Sequence, residues 1–202
     1  PSLDLVYASC GYSNMTVTAV WNASSSNPVS QVILNSSSCP KLRHFSVRFN
    51  SSSGKDTIYA VCYAGSSAAV SLTLDTQTRV VSSVVALAPS SACSTPEDTR
   101  WSNTLNALLI SCLGSSAVLQ WSGAGAGSYI TYDVSSWCTN PYTFSPDATM
   151  LTCYNSDSFV SRVTPTSPIG VFQVTYVAAT LSTSRTRVIA NDLCPYPMAV
   201  AM

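Results

Sequence analysis

Short apolar runs separated by polar turns recur along the whole chain. Four of these runs end at a cysteine, at residues 5–10, 57–62, 108–112 and 150–153. The runs are rich in Val, Ile, Thr and Tyr, and many alternate in polarity, as strands buried on one side do. No stretch keeps a 3.6-residue apolar period over the length of a helix. The pattern therefore predicts an all-β chain.

The strand-ending cysteines mark a repeat. A second apolar run follows each of them, at residues 15–20, 69–74, 117–121 and 159–163. A third run comes next, at residues 29–34, 80–85, 129–134 and 171–177. A cysteine in a loop then follows, at Cys39, Cys93, Cys138 and Cys194, and three of these loops lead into aromatic-bearing segments at residues 45–49, 101–105 and 144–148. This order recurs almost four times, so each repeat predicts four short strands.

The length of the repeat is typical of a propeller blade. The strand-ending cysteines are 52, 50 and 41 residues apart, and a period of about 40–50 residues with four strands is found in blades. Residues 144–153 are similar to the S-P-D-G signature that opens blades in many β-propellers, with Ala148 in place of the usual Gly. The chain thus resembles the β-propeller families over nearly its whole length as a pattern, and over one segment as a motif.

This resemblance implies a single disulfide-stapled domain over residues 1–202, with a four-bladed β-propeller-like fold. The blades would cover roughly residues 1–38, 39–92, 93–137 and 138–202. A pair of β-sandwiches is the alternative, because sandwiches are also rich in strands and cysteines. The first run ends at Cys10 but has no loop cysteine or aromatic segment before it, whereas Cys194 is a loop cysteine with no strand-ending cysteine after it. Each end of the chain thus holds the half of a repeat that the other end lacks. We therefore expect residues 198–202 to join the sheet that contains residues 3–10, which closes the ring.

The cysteines favour disulfides over a metal site. There are eight of them, none in a C-x-x-C pair, and only one histidine, whereas zinc ligands usually come in close pairs. In a blade, the loop before the first strand and the end of the second strand meet on one face. The repeat therefore predicts Cys39–Cys62, Cys93–Cys112 and Cys138–Cys153, and leaves Cys10 and Cys194 to bond across the closure. Disulfides persist in oxidising compartments, so we expect an extracellular protein.

Four sequons for N-glycosylation lie within the first 50 residues, at Asn14, Asn22, Asn35 and Asn50. Since the acceptor pattern marks surface loops of secreted proteins, these positions predict one sugar-coated sector.

Composition restricts the partners. Of the 202 residues, 9 are basic and 9 acidic, so the charged fraction is 9% and the net charge is zero, against a usual charged fraction of about 25%. The 37 serines and 20 threonines supply surface polarity instead. This argues against nucleic acid as a partner, because binding to phosphates needs clustered Lys and Arg. No apolar run approaches the roughly 18 residues of a membrane-spanning helix, so no membrane span is expected.

Candidate catalytic chemistry is sparse. A Ser-His-Asp triad would need His44, whose place beside Lys41 and Arg43 predicts a solvated loop position instead. The glycine-rich residues 123–127 precede a strand pattern, which predicts a hairpin turn rather than a phosphate cradle. The four tryptophans and ten tyrosines could stack on sugars. The repeated positions of Trp21, Trp101 and Trp121 favour packing between blades for most of the tryptophans. We predict no catalytic residue, no metal site and no cofactor.

Taken together, these features favour an extracellular structural or adhesive glycoprotein, a subunit of a matrix, wall or filament. Near-zero net charge does not oppose self-association, so the expected partners are copies of this chain or other matrix components. A lectin-like carbohydrate-binding module, with glycans as partners, is the second interpretation. A secreted hydrolase has the least support, because no pair of acid and base groups is apparent.

Overall fold

The computed structural model describes the chain except for residues 1–4, 11–15, 51, 124–126, 137, 139, 147, 154–169, 178–179 and 190–202. The described residues form fifteen β-strands and one short 3₁₀ turn, Leu113–Ser115, with no α-helix among them. The predicted all-β class is therefore confirmed.

The strands form four antiparallel sheets, A to D, that follow one another along the chain. Sheet A contains β1 (Leu5–Cys10), β2 (Thr16–Trp21) and β3 (Val29–Leu34). Sheet B contains β4 (Leu42–Arg48), β5 (Lys55–Cys62), β6 (Ser67–Asp75) and β7 (Val85–Pro89). Sheet C contains β8 (Pro96–Ser102), β9 (Ala107–Cys112), β10 (Ala117–Trp121) and β11 (Tyr129–Asp133). Sheet D contains β12 (Pro141–Phe144), β13 (Met150–Cys153), β14 (Gly170–Val177) and β15 (Thr180–Ile189). Within each sheet the strands lie in chain order, so each sheet is a meander.

The hydrophobic core lies in three layers between successive sheets. Ile58 of β5 packs against sheet A, whereas Tyr59, the next residue, packs against sheet C. Leu108 and Leu109 of β9 divide in the same way between sheets B and D. Because both faces of sheets B and C are covered, β9 is buried at every position, and four successive apolar residues, Ala107 to Ile110, replace the alternating pattern.

Three disulfides join the loop before a sheet to the end of that sheet's second strand. They link Cys39 to Cys62, Cys93 to Cys112 and Cys138 to Cys153, with Cα–Cα distances of 5.2, 5.2 and 5.3 Å. These are the three pairs that the repeat predicts. Each closes a loop of 15 to 23 residues, and in the chain-entropy model a loop of this size stabilises the fold by about 3 kcal/mol. Cys194 lies outside the described residues, so its predicted bond to Cys10 stays a prediction.

One predicted strand position is wrong, and one predicted strand has a different place in its sheet. The third run of the second repeat was expected at residues 80–85, but β7 begins at Val85, and only Val81 makes an isolated bridge, to Leu74. The reason is a side chain: Ser82 Oγ accepts the Thr73 N–H at 2.8 Å, in competition with the backbone ladder.

In the fourth repeat the third run pairs directly with β13, and the outer strand is β15. The apolar pattern predicts no strand at residues 180–189, and the second run of this repeat, residues 159–163, lies outside the described residues.

The turn between β12 and β13 explains the altered signature motif. The Ala148 N–H donates to the Ser145 carbonyl at 2.9 Å, and the Ser145 N–H donates to the Met150 carbonyl at 3.0 Å. Ala148 has a φ of 61°, the left-handed region that glycine adopts without strain. The usual glycine of the motif is thus replaced at a position whose backbone conformation still fits glycine, while the Ala148 methyl group is buried between sheets C and D.

Candidate functional site

The first described strands of sheets A, B and C, together with the segment after β12, surround one cavity. Its volume is about 480 Å³, within the range of about 300–1,000 Å³ that is usual for binding sites. The lining residues come from all four sheets: Leu5, Val6, Tyr7, Phe45, Ser46, Val47, Phe49, Arg100, Trp101 and Pro146. The cavity is therefore mainly apolar, with Arg100 as its one charged lining residue.

A buried carboxylate beside this cavity joins three sheets. Asp98 of β8 is 2% exposed, and its Oδ1 atom lies 2.7 Å from Nδ1 of His44 in β4. Its Oδ2 atom accepts the Thr143 hydroxyl at 2.7 Å and the Phe144 N–H at 2.8 Å, both from β12. The Arg100 Nε atom lies 3.8 Å from the same oxygen. Asp98 thus links sheet C to sheet B on one side and to sheet D on the other.

The surroundings of Asp98 favour its ionised form. Burial alone would raise the pKa of this carboxyl, but the contact with His44, the charge of Arg100 and the Phe144 N–H together hold the pKa below its usual value. The neighbouring Glu97 behaves differently. Burial raises the pKa of Glu97 although Arg43 lies 3.6 Å away, because Arg43 is half exposed and Asp98 adds a like charge.

The prediction for His44 is wrong. His44 lies within β4, not in a loop, and its side chain is 34% exposed. Its ring is placed between Asp98 and Arg100, whose Nη2 atom lies 3.5 Å from Nε2. The positions of Lys41 and Arg43 suggested a solvated segment, but both cations extend over Tyr63, with the Arg43 guanidinium 4.7 Å from the ring centre.

Sequence reasoning missed Asp98 and Thr143 as members of this cluster, although a signal was present. His44, Asp98 and Thr143 each lie five residues after a loop cysteine. They occupy the same place in three successive repeats, and the fold brings the three side chains together. An alignment of the repeats on their loop cysteines places these three polar residues at equivalent positions, and this would have predicted the cluster.

The described tryptophans are used for packing between sheets. Trp101 stacks on Tyr59 with ring centres 5.5 Å apart, and the Arg48 guanidinium lies 4.0 Å from the Trp101 ring centre. Trp121 meets the same Tyr59 edge-on at 6.1 Å. Trp21 is 3% exposed, and its indole N–H donates to the Thr76 carbonyl. These contacts confirm the packing interpretation for three of the four tryptophans, and Trp137 lies outside the described residues.

Three of the predicted glycosylation acceptors lie exposed in or next to turns: Asn22, Asn35 and Asn50. The Asn35 side-chain oxygen accepts the Ser37 hydroxyl at 2.6 Å and the Ser38 N–H at 3.2 Å. The Asn50 oxygen accepts the Ser52 hydroxyl in the same way at 2.7 Å. Asn14 lies outside the described residues. Glycosylation stays a prediction, and the three exposed acceptors belong to sheet A and to the β4–β5 loop.

The outer strands of sheets A, B and C expose apolar β-branched side chains. Val32 of β3 is 54% exposed, Val85 of β7 is 46% exposed and Ile130 of β11 is 47% exposed. Among these three strands the only charged residue is Asp133, at the end of β11. Outer strands of monomeric proteins commonly carry lysine, proline or bulges that prevent pairing with another chain. Pro89 lies at the end of β7, and register shifts interrupt the pairing of β3 with β2 and of β7 with β6, whereas β11 pairs with β10 without a shift.

Within the described residues, no group of three or more His, Cys, Asp or Glu side chains could hold a metal ion. In the same part of the chain, no helix has the length and apolar character needed to cross a bilayer. Comparisons with family models, with curated proteins and with solved structures find no match to this chain.

Proposed function

We propose that the four sheets are the blades of one small propeller. Three features support this: the sheets are successive meanders, one core layer lies between each neighbouring pair, and the first strands of three sheets surround a shared cavity. Two separate β-sandwiches would bury one face of each sheet, whereas sheets B and C are covered on both faces. The propeller therefore accounts for the packing better than the sandwich pair.

On this scaffold we propose an extracellular structural or adhesive glycoprotein that assembles with copies of itself. The single observation that carries the proposal is the set of outer strands that expose valine and isoleucine and carry almost no charge. Such edges are templates for pairing with another chain. Three disulfides favour an oxidising compartment and thus a secreted protein.

The outer strand of sheet C is the best candidate for the contact between copies. On sheet A, the sequons at Asn22 and Asn35 flank β3, so attached glycans would cover that edge. On sheet B, the Gly127 N–H already donates to the Leu87 carbonyl of β7, and Pro89 ends the strand. By contrast, β11 carries no sequon, and Ile130 and Thr131 at its centre are exposed.

Replacing Ile130 by Lys is expected to weaken self-association at least about tenfold, which corresponds to about 1.4 kcal/mol. The reason is that a lysine at the centre of an edge strand places a charge where a second strand would pair. Sedimentation velocity of the glycosylated protein over a range of concentrations, with electron microscopy of the same samples, measures the effect.

Val32→Lys on β3 is the matched control, because it introduces the same charge at an exposed edge residue of the glycan-bearing sheet. It should leave association unchanged. A wild-type protein that stays a monodisperse monomer at every concentration would remove the structural-subunit proposal.

A lectin-like module is the second candidate, and one observation favours it. Phe49 is 71% exposed and lies 6.3 Å from Tyr7, so an aromatic surface borders the cavity. If a glycan stacks on this surface, Phe49→Ala should abolish binding to a glycan array while leaving thermal stability unchanged. A hydrolase is not proposed, because both oxygens of Asp98 are engaged in contacts between sheets.

A further inference from the structure

The walls of the cavity beside Asp98 are mostly apolar. Aliphatic surface comes from Leu5, Val6, Val47 and Pro146, and aromatic surface from Tyr7, Phe45, Phe49 and Trp101. The other two lining residues are Ser46 and Arg100. Small-molecule sites commonly have this composition, with apolar walls and a few polar groups that fix the orientation of the ligand. A ligand of this cavity therefore needs an apolar body and a small polar head group.

Two of the aromatic lining residues are already engaged with the protein. The Tyr7 hydroxyl donates to Asp56 Oδ2 at 2.7 Å, so it is not available to a ligand. The Trp101 ring is stacked on Tyr59 and lies 4.0 Å from the Arg48 guanidinium, so much of its surface is covered. The aromatic contacts of a ligand therefore fall mainly to the two phenylalanines of the lining.

The hydroxyl group of Ser46 is the first polar group that a ligand would satisfy. Ser46 is 8% exposed, and its hydroxyl has no hydrogen-bond partner among the described residues. Its neighbours along β4, Phe45 and Val47, line the same cavity. Because a buried hydroxyl without a partner is costly, an oxygen atom of a bound molecule would stabilise this position.

The guanidinium group of Arg100 is incompletely paired. Its buried Nε atom makes no hydrogen bond among the described residues, since Asp98 Oδ2 lies 3.8 Å away, beyond hydrogen-bond distance. That oxygen already accepts the Thr143 hydroxyl and the Phe144 N–H. The Nη2 atom lies 3.5 Å from His44 Nε2. Since a guanidinium has five N–H donors, Arg100 keeps donors for an acceptor in the cavity.

A carboxylate is the head group that fits these two residues best. An ionised carboxylate has two acceptor oxygens, and its planar shape matches the fork of a guanidinium. Arg100 is the one charged residue among the described lining residues, so a single negative charge is complementary. A phosphate monoester has three acceptor oxygens and up to two negative charges, which is more than one guanidinium and one hydroxyl can pair between apolar walls.

We propose that this cavity binds a small amphiphilic acid, with the carboxylate against Ser46 and Arg100 and the apolar body along Phe45, Val47 and Phe49. The body is an alkyl chain or a chain that carries an aryl ring, since the walls recognise apolar surface in either form. The site is separate from the β11 edge and does not depend on assembly. It gives the protein a function beyond the proposed structural role, the retention of small organic acids.

Isothermal titration calorimetry of the full-length, disulfide-bonded protein at neutral pH tests the class of ligand. Octanoate is the aliphatic probe and 4-phenylbutyrate the aromatic probe. Octanamide has the octanoate chain without the charge, and acetate has the charge without the chain. At least one of the two long acids should bind with a dissociation constant below about 1 mM, and the tighter of the two identifies the preferred body.

The two control compounds decide which part of the ligand matters. Octanamide and acetate should each bind at least about tenfold more weakly than the better acid, because each lacks one of the two kinds of contact. Absence of binding by both long acids, whatever fills the cavity, would overturn the proposal. Binding of octanamide as tight as that of octanoate would overturn it as well.

Variants of the two polar residues test the head group. Arg100→Gln should weaken octanoate binding at least about tenfold and leave octanamide binding unchanged, since only the anion uses the charge. Ser46→Ala serves if Arg100→Gln does not fold, because Arg100 also lies beside Asp98. It should weaken octanoate binding about fivefold without lowering the melting temperature, because the deleted hydroxyl has no partner in the ligand-free protein.

Ser71→Ala is the matched control for the serine variant. Ser71 is a half-buried serine of β6 in the same sheet and lies outside the cavity lining, so this variant should bind octanoate as the wild type does. Unchanged octanoate binding by both Arg100→Gln and Ser46→Ala would contradict the proposed position of the carboxylate.

Methyl NMR of protein with labelled valines locates the bound acid. Octanoate should shift the signals of Val6 and Val47, which line the cavity, and leave those of Val32 and Val85, which are about as exposed as Val6. Shifts confined to Val32 and Val85 would show that octanoate binds to the outer strands, and this would overturn the proposal. Ile130→Lys should bind octanoate as the wild type does, so the acid site and the proposed assembly succeed or fail independently.

Discussion

Asp98→Asn is expected to lower the free energy of unfolding by about 3–5 kcal/mol, the cost of removing one partner from a buried, hydrogen-bonded charge cluster. The amide keeps one acceptor oxygen, but its NH₂ group must face either His44 or the two donors of β12, Thr143 and Phe144. The cationic Arg100 also loses its carboxylate partner. Urea unfolding at neutral pH measures the change.

The neighbouring carboxyl supplies the control. Glu97→Gln removes a partly buried charge whose ion pair with Arg43 spans 3.6 Å and is half exposed on the arginine side. Since burial already opposes ionisation of Glu97 and raises its pKa, its removal should cost far less than the removal of Asp98. If both variants unfold at the same urea concentration as the wild type, Asp98 does not hold the sheets together.

The difference in stability between the wild type and Asp98→Asn should depend on pH in a defined way. The pKa of Asp98 is lower in the folded protein than in the unfolded chain, where an aspartate titrates at about 3.9. A depressed pKa stabilises the fold above the unfolded pKa, and the contribution is lost as pH falls through the folded pKa. The difference in stability between wild type and Asp98→Asn should therefore be largest above about pH 4 and shrink below it.

The repeat made much of the fold predictable. Cysteine positions gave the three local disulfides, because the end of one strand and the loop before its neighbour are brought together whenever the two strands pair. The differences arose where side chains decide local structure. Ser82 competes with the backbone ladder and delays β7 to Val85, and the third run of the fourth repeat takes the second position of the described part of sheet D, next to β13.

The cavity and the charge cluster were less predictable, because they are formed between repeats. A single repeat shows His44 as a polar residue beside two cations, and nothing within it reveals that Asp98 of the next sheet lies 2.7 Å away. The same holds for Trp101, whose ring is covered by Tyr59 and Arg48 of the preceding sheet. Contacts of this kind depend on the angle between neighbouring sheets, which the apolar pattern of one sheet does not encode.

Phe144→Ala is expected to lower the free energy of unfolding by about 3–5 kcal/mol, as truncations of buried aromatic residues do. Phe144 is 1% exposed and packs with Leu109 and Val118 of sheet C and with Leu151 of its own sheet. Because sheets C and D share this layer, the resulting cavity weakens their contact directly. For a chain of this size, the melting temperature should fall by roughly 10 °C, at about 2–4 °C per kcal/mol.

Phe49→Ala removes the same side chain at a position that is 71% exposed, so its melting temperature should stay within about 2 °C of the wild type, consistent with a surface change of at most ~0.5 kcal/mol. Differential scanning calorimetry of both variants, with the three disulfides intact, separates loss of packing from loss of cross-links. Equal melting temperatures for the two variants would mean that the core layer around Phe144 does not hold sheets C and D together. The contact between these two sheets would then no longer support the propeller arrangement. If the melting temperature of Phe49→Ala changes this little, the variant can also be used in the glycan-array experiment, because a loss of glycan binding could not be attributed to unfolding.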